Sequence, residues 1–496
     1  MDSAQVLIVG AGPCGLTAAC ELLRHGATVR VVDAHPQAAT GSRSIMLWPP
    51  QLAILRDHGV LDEALELGIR PEAFTYSTAK GRLARFRFAG DTTPLILPQH
   101  HTDRLLEQAL NALGGTVERP ARVTGLVQGP DEVTAQVTGG DGESRTLAAP
   151  WLIGADGAHS TVRALLGVGT TRTQARSRFL LAEGNLTPAP TGSDVEYVLT
   201  ARGGLVVAPL PGDIYRVSGN VTDTGDPTED AVQALLQQRY HHDPKISDLT
   251  LLTHFVSEEF LVHDMRVDRV FLLGDAAHSH YPVGGQGANL GMQDARNLGW
   301  KLAGVLGGRL HPGILDTYGV ERRSAARQIL HMTGAVTRVA LLRPPWNGVR
   351  DILLKSVQGI PAVQGWYTAK LAGQKTAYPN TTLGSPAPGR ARRPGRLSPA
   401  ATVGRPAPAW ARSEVVSSSY RLVSKGPAEQ STLAVRAGRL ARSHPVATHE
   451  HVSGPREECV LIRPDGYVAV AAATPDLADI DRLLTAVSTT RPALTR

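Results

Sequence analysis

Cysteine is scarce in this sequence, with three residues in 496, at positions 14, 20 and 459. Their spacing matches neither a CxxC redox motif nor a zinc-binding pattern, so neither a disulfide framework nor a metal site is predicted. No apolar run reaches the about 18 residues that a membrane-spanning helix needs. The first ten residues lack the basic start and the cleavage site of a signal peptide. We therefore expect a cytoplasmic protein with no membrane partner.

Nucleic-acid binding and nucleophilic catalysis also lack sequence support. The net charge is +6, but seven basic residues and no acidic one lie between Lys375 and Arg412, in a segment rich in proline, glycine and arginine. That composition is typical of an extended linker, and without a recognition motif no nucleic-acid partner is expected. No GxSxG elbow marks a catalytic serine.

The first motif that carries chemistry is Gly10-x-Gly12-x-x-Gly15, between the apolar run QVLIVG and the helical pattern that follows. In a strand–helix–strand unit, Gly10 permits the tight turn, Gly12 lets the backbone approach a pyrophosphate, and Gly15 lets helix and strand pack closely. The helix start, with Pro13 in its first turn, offers N–H groups and partial positive charge to phosphates. Asp33 ends the next strand, TVRVVD, where it can accept ribose hydroxyls. The motif predicts a dinucleotide, either FAD or NAD.

A second segment, GDAAHSHYPVGGQGANLG, runs from Gly274 to Gly291 and contains five glycines. So many glycines indicate a backbone that lies close to a flat or anionic partner. The segment resembles the second FAD fingerprint of the flavin-dependent aromatic hydroxylases, which have the para-hydroxybenzoate hydroxylase fold. The resemblance implies that Asp275, next to Gly274, binds a ribityl hydroxyl of FAD. It also implies that the flavin ring is lined by Pro282, Gly285, Gln286, Gly287, Ala288 and Asn289.

Three further segments are similar to the same family, in the same order, so that the resemblance covers about residues 1–345. WLIGADGAHSTVR resembles the family's DG motif, which is associated with binding of FAD and NAD(P)H and carries Asp156, Gly157, Ser160 and Arg163. Arg43 stands where the family has an arginine that contacts FAD beside the substrate cavity, and Gln99 where it has a glutamine near the ribityl chain. Arg43 and Pro282 are the candidate catalytic residues. Ala34 departs from the family, which commonly has an arginine there.

The fold class that the resemblance implies is α/β, with a Rossmann-like FAD-binding domain built from residues 1–170 and 266–375. Residues 171–265 are predicted to form a β-sheet substrate domain, with 80–100 as a segment that either domain could include. A linker at 376–411 leads to residues 412–496, which resemble the thioredoxin-like tail of larger family members. Because no CxxC is present there, an interface role is expected, which leaves a homo-oligomer open.

The activity that the resemblance implies is that of a FAD-dependent monooxygenase. No second strand–GxGxxG–helix unit is present, so no dedicated Rossmann domain for the nicotinamide cofactor is expected. The resemblance implies that NADPH or NADH binds transiently and reduces FAD. It also implies that O₂ then gives a flavin C4a-hydroperoxide, which hydroxylates an electron-rich aromatic small molecule. His278 and His280 lie in the glycine-rich segment, and we expect them to pack and hydrogen-bond there rather than act as general bases.

The substrate is expected to be a polycyclic phenol or quinone of the polyketide type. Val206, Val207 and Ala208 are predicted to face inward from the substrate domain, which favours a broad apolar cavity. Baeyer–Villiger oxygen insertion and oxidative inactivation of an aromatic antibiotic stay open on the same scaffold. A non-catalytic flavin-fold binding protein is an alternative from a different class, but it would be expected to have damaged fingerprints, and these are intact.

Overall fold

The computed structural model describes residues 4–38, 44–172, 177–200, 203–222, 225–340, 342, 346–378, 403–412, 418–472 and 476–489. Among these residues, no helix has both the length and the apolar character that a membrane span requires.

A six-stranded sheet organises the N-terminal part of the chain, and its strands are parallel except for one edge strand. Their order is Arg266–Val267, Val270–Leu272, Trp151–Gly154, Val6–Val9, Val29–Val32 and Val117–Glu118. The central strands are short apolar runs that are buried on both faces, as is usual for parallel sheets. The predicted strand–helix–strand unit is present, because the helix Pro13–Arg24 connects Val6–Val9 to Val29–Val32.

Helices pack against this sheet and on one another, and others pack against the second large sheet described below. The helix Gly287–Leu306 lies against Pro13–Arg24 and carries the end of the glycine-rich segment. The remaining helices of the part of the chain before the predicted linker are Pro49–Asp57, Leu61–Leu67, Gln99–Ala112, Thr161–Leu165, Glu229–Arg239, Asp316–Ala340, Trp346–Val357 and Pro361–Leu371.

Three small antiparallel sheets complete the connections. The predicted meander is formed by Ala121–Gln128, Val133–Gly139 and Ser144–Ala149, after which the chain returns to the main sheet at Trp151–Gly154. A second small sheet contains Thr170–Arg172, Phe260–Val262 and His278–Ser279, and a third pairs Met46–Leu47 with Leu95–Ile96.

A seven-stranded sheet stands beside the parallel sheet. Its order is Lys245–Ser257, Ser177–Thr187, Ile214–Val221, Gly203–Leu210, Val195–Thr200, Ala73–Thr78 and Gly81–Arg87. The last two strands come from the segment around residue 80, which therefore pairs with the predicted substrate region. The helix Glu229–Arg239 covers one face of this sheet, and the other face borders a cavity.

The alternation of side chains along Gly203–Leu210 corrects one expectation about the cavity. Val206 and Ala208 line it as predicted, but Val207 packs beneath the helix Glu229–Arg239 with Val232. Successive side chains of a strand point to opposite faces of the sheet, so three consecutive residues cannot all face inward.

The C-terminal part of the chain contains a four-stranded sheet in the order Ala447–Ser453, Tyr420–Gly426, Glu458–Ile462 and Val468–Ala472. The first two strands are parallel and the others antiparallel, with the helices Thr432–Ser443 and Ala478–Val487 beside them. The thioredoxin-like identity of this unit and the domain boundaries given above stay predictions. Most of the predicted linker, residues 379–402, lies outside the described residues.

Candidate active site

The turn at Gly10, Gly12 and Gly15 shows three different uses of glycine. Gly10 has a φ of +104°, and a Cβ there would lie 2.4 Å from the carbonyl oxygen of Ala155. A Cβ on Gly15 would lie 1.9 Å from the carbonyl oxygen of Gly10. A Cβ on Gly12 would meet no described atom within 4 Å. Two glycines are therefore required by the fold itself, whereas Gly12 leaves open space before the helix N-terminus, where a pyrophosphate would fit.

The carboxylate of Asp33 is held at the end of its strand by two backbone groups. The N–H of Ala11 donates to Oδ2 at 2.7 Å, and the N–H of His35 donates to Oδ1 at 2.8 Å. Each carboxylate oxygen can accept more than one hydrogen bond, so the group can still accept ribose hydroxyls. Pro13 is the first residue of the adjoining helix and lines the cavity with Gly12.

Gly274 brings Asp275 to the cavity. Gly274 has a φ of +60°, and its N–H donates to Oδ2 of Asp294 at 3.1 Å. A Cβ on Gly274 would lie 2.7 Å from Sγ of Cys14, so the backbone here packs directly against the first helix. The side chain of Asp275 is exposed and lines the cavity. This placement fits the predicted contact of Asp275 with a ribityl hydroxyl.

The predicted flavin loop, residues 282–289, borders the cavity through Pro282, Gly285, Gln286, Gly287 and Ala288. Asn289 does not line the cavity. It is buried behind the loop, where its Nδ2 donates to the carbonyl oxygens of Met46 and Gly285, both at 2.6 Å, and its Oδ1 accepts from the N–H of Trp48 at 2.8 Å. Asn289 therefore holds the loop against the strand Met46–Leu47.

The DG segment contributes one acceptor without a partner. Oδ2 of Asp156 accepts from the N–H of Val162 at 3.0 Å, but its Oδ1 is buried and has no hydrogen-bond partner among the described residues. A buried unpaired carboxylate oxygen is costly, which is consistent with a missing ligand hydroxyl. Gly157 next to it has a φ of +80° and lines the cavity.

Ser160 and Arg163 have positions that hold the DG segment together. The Ser160 hydroxyl caps the helix Thr161–Leu165 by accepting from the N–H of Arg163. The Arg163 guanidinium donates to the carbonyl oxygens of Ala158 at 2.7 Å and Ala276 at 2.9 Å. Arg163 thus connects the DG segment to the chain that carries Asp275.

Gln99 lines the cavity at the start of the helix Gln99–Ala112. Its Oε1 accepts from the N–H of Ser44 at 3.2 Å, and its Nε2 donates to Oδ2 of Asp103 at 3.3 Å. Arg43, the other residue predicted here, lies outside the described residues.

Asp103 was not identified from the sequence. It is only 3% exposed, and burial raises the pKa of its carboxyl to about 7. Its position one helical turn after Gln99 is the signal that could have found it.

The two histidines of the glycine-rich segment have different surroundings. Nε2 of His278 lies 2.6 Å from Oδ2 of Asp294, and both side chains are fully buried. His278 therefore holds the segment, as the sequence predicted. Nδ1 of His280 lies 3.0 Å from the carbonyl oxygen of Tyr281, and burial lowers the pKa of its imidazole. His280 lines the cavity as a neutral side chain.

The cavity has a volume of about 460 Å³ and lies between the glycine segments and the seven-stranded sheet. This size is typical of sites for small organic molecules. The sheet side is apolar, as predicted, but it is largely aromatic as well as aliphatic, which the sequence did not predict. Its lining includes Tyr76, Phe179, Leu181, Val195, Tyr197, Leu199, Val206, Ala208 and Phe255.

A buried ion pair interrupts the apolar wall. Arg216, which is 4% exposed, lines the cavity and contacts Oε1 of Glu183 through Nε at 3.0 Å and through a second guanidinium nitrogen. Burial lowers the pKa of Arg216, and Glu183 opposes that shift. Ser218 and Asn220 follow on the same strand face and also line the cavity. The three polar side chains can orient a bound molecule by hydrogen bonds.

Comparison with known proteins gives consistent matches. Residues 3–333 match the FAD binding domain family. The chain is 31% identical over 512 residues to a 6-methylpretetramide 4-monooxygenase of Streptomyces rimosus, covering 94% of this chain and 90% of that protein. It is 35% identical over 363 residues to a rifampicin monooxygenase of Streptomyces venezuelae, covering 71% of this chain and 75% of that one. Among solved structures, the anhydrotetracycline hydroxylase OxyS from Streptomyces rimosus aligns with a TM-score of 0.78 and 27% identity, covering 99% of this chain and 100% of that one.

Proposed function

From the premise that the chain belongs to the FAD binding domain family of FAD-dependent aromatic monooxygenases, we propose that it hydroxylates a polycyclic aromatic substrate of the polyketide type, with NADPH as the reductant. The membership confirms the predicted family, the α/β fold class, the enzyme class and the use of FAD. The substrate, the choice of NADPH over NADH and the route of oxygen transfer are proposals.

The observation that carries the proposal is the composition of the single cavity that the glycine segments and the seven-stranded sheet share. Gly12 and Asp275 line it together with Tyr197 and Phe255. A cofactor held by the glycine segments would therefore face an aromatic-lined space within the same cavity. Such a wall buries flat apolar rings by stacked and edge-on contacts.

FAD, when bound, supplies electron transfer from the nicotinamide and the activation of O₂. The residues that would hold it are Gly10, Gly12, Pro13, Gly15 and Asp33 at the nucleotide, and Asp156 and Asp275 near the ribityl chain. The backbone of the loop at Gly285, Gly287 and Ala288 would lie against the ring. The helix starting at Gly287 directs its first N–H groups and partial positive charge toward that space.

The chain's own contribution to the reaction is positioning and exclusion of water. Arg216, Ser218 and Asn220 would bind the oxygen atoms of a phenol or quinone, while the aliphatic and aromatic side chains around them keep the cavity apolar. The phenols of this wall stay protonated, since burial raises the pKa of Tyr76 and that of Tyr197 above the ordinary value. They can therefore donate hydrogen bonds but carry no charge toward the substrate.

Oxidative modification of an aromatic antibiotic is the second candidate function, because one relative is a rifampicin monooxygenase with 35% identity. Baeyer–Villiger insertion would use the same cavity. The non-catalytic alternative has no support from the structure, since the Gly12 space and the accessible Asp275 carboxylate are both retained.

The test is the visible spectrum of the purified full chain in air, recorded before and after addition of NADPH, with and without a polycyclic phenol. We expect flavin bands that bleach slowly with NADPH alone and much faster with the phenol, and an oxygenated product by mass spectrometry. NADH in place of NADPH distinguishes the two reductants. A protein that takes up no FAD would refute the proposal, and FAD reduction without an oxygenated product from any phenol or antibiotic tried would restrict it to the family assignment.

A further inference from the structure

A buried network of charged and polar side chains joins the C-terminal sheet unit to the backbone beside Asp275. Its members come from four separate parts of the chain: Asp294, Asn297, Lys301, Glu321, Arg322, Tyr378 and Arg463. We call this set the buried charge network. The side chains of Asp294, Lys301, Glu321 and Arg322 are 0% exposed, and that of Arg463 is 2% exposed.

The network begins at Arg463, which follows the strand Glu458–Ile462 in the C-terminal unit. Its guanidinium binds both carboxylate oxygens of Glu321, with Nη1 to Oε1 at 2.6 Å and Nη2 to Oε2 at 2.8 Å. This two-point geometry fixes the orientation of both groups. Lys301 and Asn297 also donate to Oε2 of Glu321, each at 2.8 Å.

Tyr378 links this pair to the second half of the network. Its hydroxyl oxygen accepts from Nδ2 of Asn297 at 3.2 Å and from Nη1 of Arg322 at 3.0 Å. Arg322 then donates from Nε to Oδ1 of Asp294 at 2.6 Å. The other oxygen of Asp294 accepts from the N–H of Gly274, the residue before Asp275.

Arg463 also donates from Nε to Oδ1 of Asp465 at 3.0 Å, and with this carboxylate three anionic groups face three cationic ones. Each group therefore depends on its partners. Burial opposes ionisation of Glu321, but Arg463 and Lys301 outweigh it and keep the pKa of its carboxyl well below the usual range. Likewise, Arg322 and His278 hold the pKa of Asp294 below its usual value despite burial. A buried charge that loses its partner is strongly destabilised, so a change at one member is expected to displace the next.

We propose that the C-terminal sheet unit positions the cofactor-binding backbone at Gly274 and Asp275 through the buried charge network, with Arg463 and Tyr378 as positioning residues. The path is unbroken: Arg463 orients Glu321, Glu321 accepts from Asn297, and the Tyr378 hydroxyl accepts from both Asn297 and Arg322. Arg322 in turn fixes the Asp294 carboxylate that holds Gly274. This role rests on the proposed function only where FAD is concerned, because protection of the backbone around Gly274 against hydrogen exchange can be measured in the apoprotein.

The test uses two conservative variants of the full chain and two matched controls. Y378F removes the hydroxyl that joins the two halves but keeps the ring, which stacks on Tyr467 at 4.1 Å between centroids. R463K keeps the charge but loses the two-point contact. Y420F removes a buried hydroxyl of the C-terminal unit that has no hydrogen-bond partner among the described residues, and R412K changes an exposed arginine paired with Asp91.

Two quantities are measured on folded protein, as judged by circular dichroism. In the apoprotein, hydrogen exchange of a peptide that covers residues 270–280 should be at least about fivefold faster in Y378F and R463K than in wild type. The Kd for FAD should rise by at least about the same factor, with a shift of the visible flavin bands. The two controls should match wild type in both measurements.

The outcomes separate the proposal from the proposed function. Unchanged exchange in both network variants would overturn the proposal, as would equal acceleration in Y420F and R412K. If R463K does not fold, Y378F alone decides. A wild-type protein that binds no FAD would refute the proposed function, while faster exchange at residues 270–280 would still support the positioning role.

Discussion

Gly12 and Gly15 belong to the same turn, but we expect Gly15 to be needed for the fold and Gly12 for binding of the cofactor. Gly12 has a φ of −79° and a ψ of −176°, which any residue adopts, and its Cβ direction is open. We therefore expect G12A to leave the apoprotein as stable as wild type, or more stable by about 0.4–1 kcal/mol through the reduced entropy of the unfolded chain. The added methyl group would occupy the space that the pyrophosphate needs.

The expected loss of FAD affinity in G12A follows from the contacts that the phosphates would lose. A hydrogen bond from a backbone N–H to a charged group contributes about 1.5–3 kcal/mol, so losing one raises the Kd by roughly 10- to 150-fold. FAD titration, followed by quenching of flavin fluorescence, measures this. Thermal and urea unfolding of the apoprotein measure the stability.

G15A provides the contrast, because its Cβ would lie 1.9 Å from the carbonyl oxygen of Gly10. Backbone atoms at that distance must move, so we expect a loss of about 3 kcal/mol in the free energy of unfolding of the apoprotein. The reasoning fails if G12A binds FAD as wild type does, or if the apoprotein of G12A unfolds as early as that of G15A.

Three further predictions concern single side chains. D275A should reduce the flavin content of the purified protein without changing the urea midpoint of the apoprotein. The reason is that the exposed Asp275 carboxylate has no hydrogen bond that the described fold needs. Unchanged flavin content would contradict this prediction. R216M leaves Glu183 buried without its partner and should lower the free energy of unfolding by about 3 kcal/mol. The double variant R216M/E183Q should recover most of that stability but keep a raised KM for the aromatic substrate. Burial raises the pKa of Asp103 to about 7. Between about pH 4 and pH 7, the Asp103 carboxyl therefore holds a proton in the native state that the unfolded chain has already released. The contribution of Asp103 to the free energy of unfolding falls by at most about 4 kcal/mol as the pH rises across this range. D103N should remove that fall, and equal pH profiles of urea unfolding for D103N and wild type would refute the assignment.

The parts of the fold and site that could be predicted are those that local sequence rules determine. The turn at Gly10 and the strand before Gly274 follow from glycine conformation and apolar runs over a few neighbouring residues. The pair of Arg216 and Glu183 depends instead on the register between two strands that lie 33 positions apart in the chain. Nothing in the local pattern around either residue specifies that register.

The same limit applies more strongly to the buried charge network. Asp294, Arg322, Tyr378 and Arg463 each stand in an unremarkable local sequence, and only the packing of two helices, a loop and the C-terminal sheet brings them together. The expectation for Val207 failed for a simpler reason, since the phase of its strand was not fixed by a run of consecutive small apolar residues.

Side chains from distant segments of the chain hold the glycine-rich segment, residues 274–291, in one conformation. Gly274, Gly284 and Gly285 all have positive φ, a combination that frees the backbone and would leave an isolated loop with many conformations. Here the Trp48 indole donates to the carbonyl oxygen of Gly284 at 3.0 Å, and Nε2 of Gln286 donates to that of Leu371 at 2.9 Å.

Together with Asn289 and Asp294, these contacts hold the loop in one shape before any ligand arrives. A loop that is already ordered loses less entropy on binding, so the same hydrogen bonds to a flavin give a higher affinity. The glycines thus permit close approach, and the buried polar side chains behind them restore the rigidity that glycine removes. Substitutions behind the loop, such as N289A, are therefore expected to weaken FAD binding although Asn289 does not line the cavity, and fluorescence titration of that variant measures the effect.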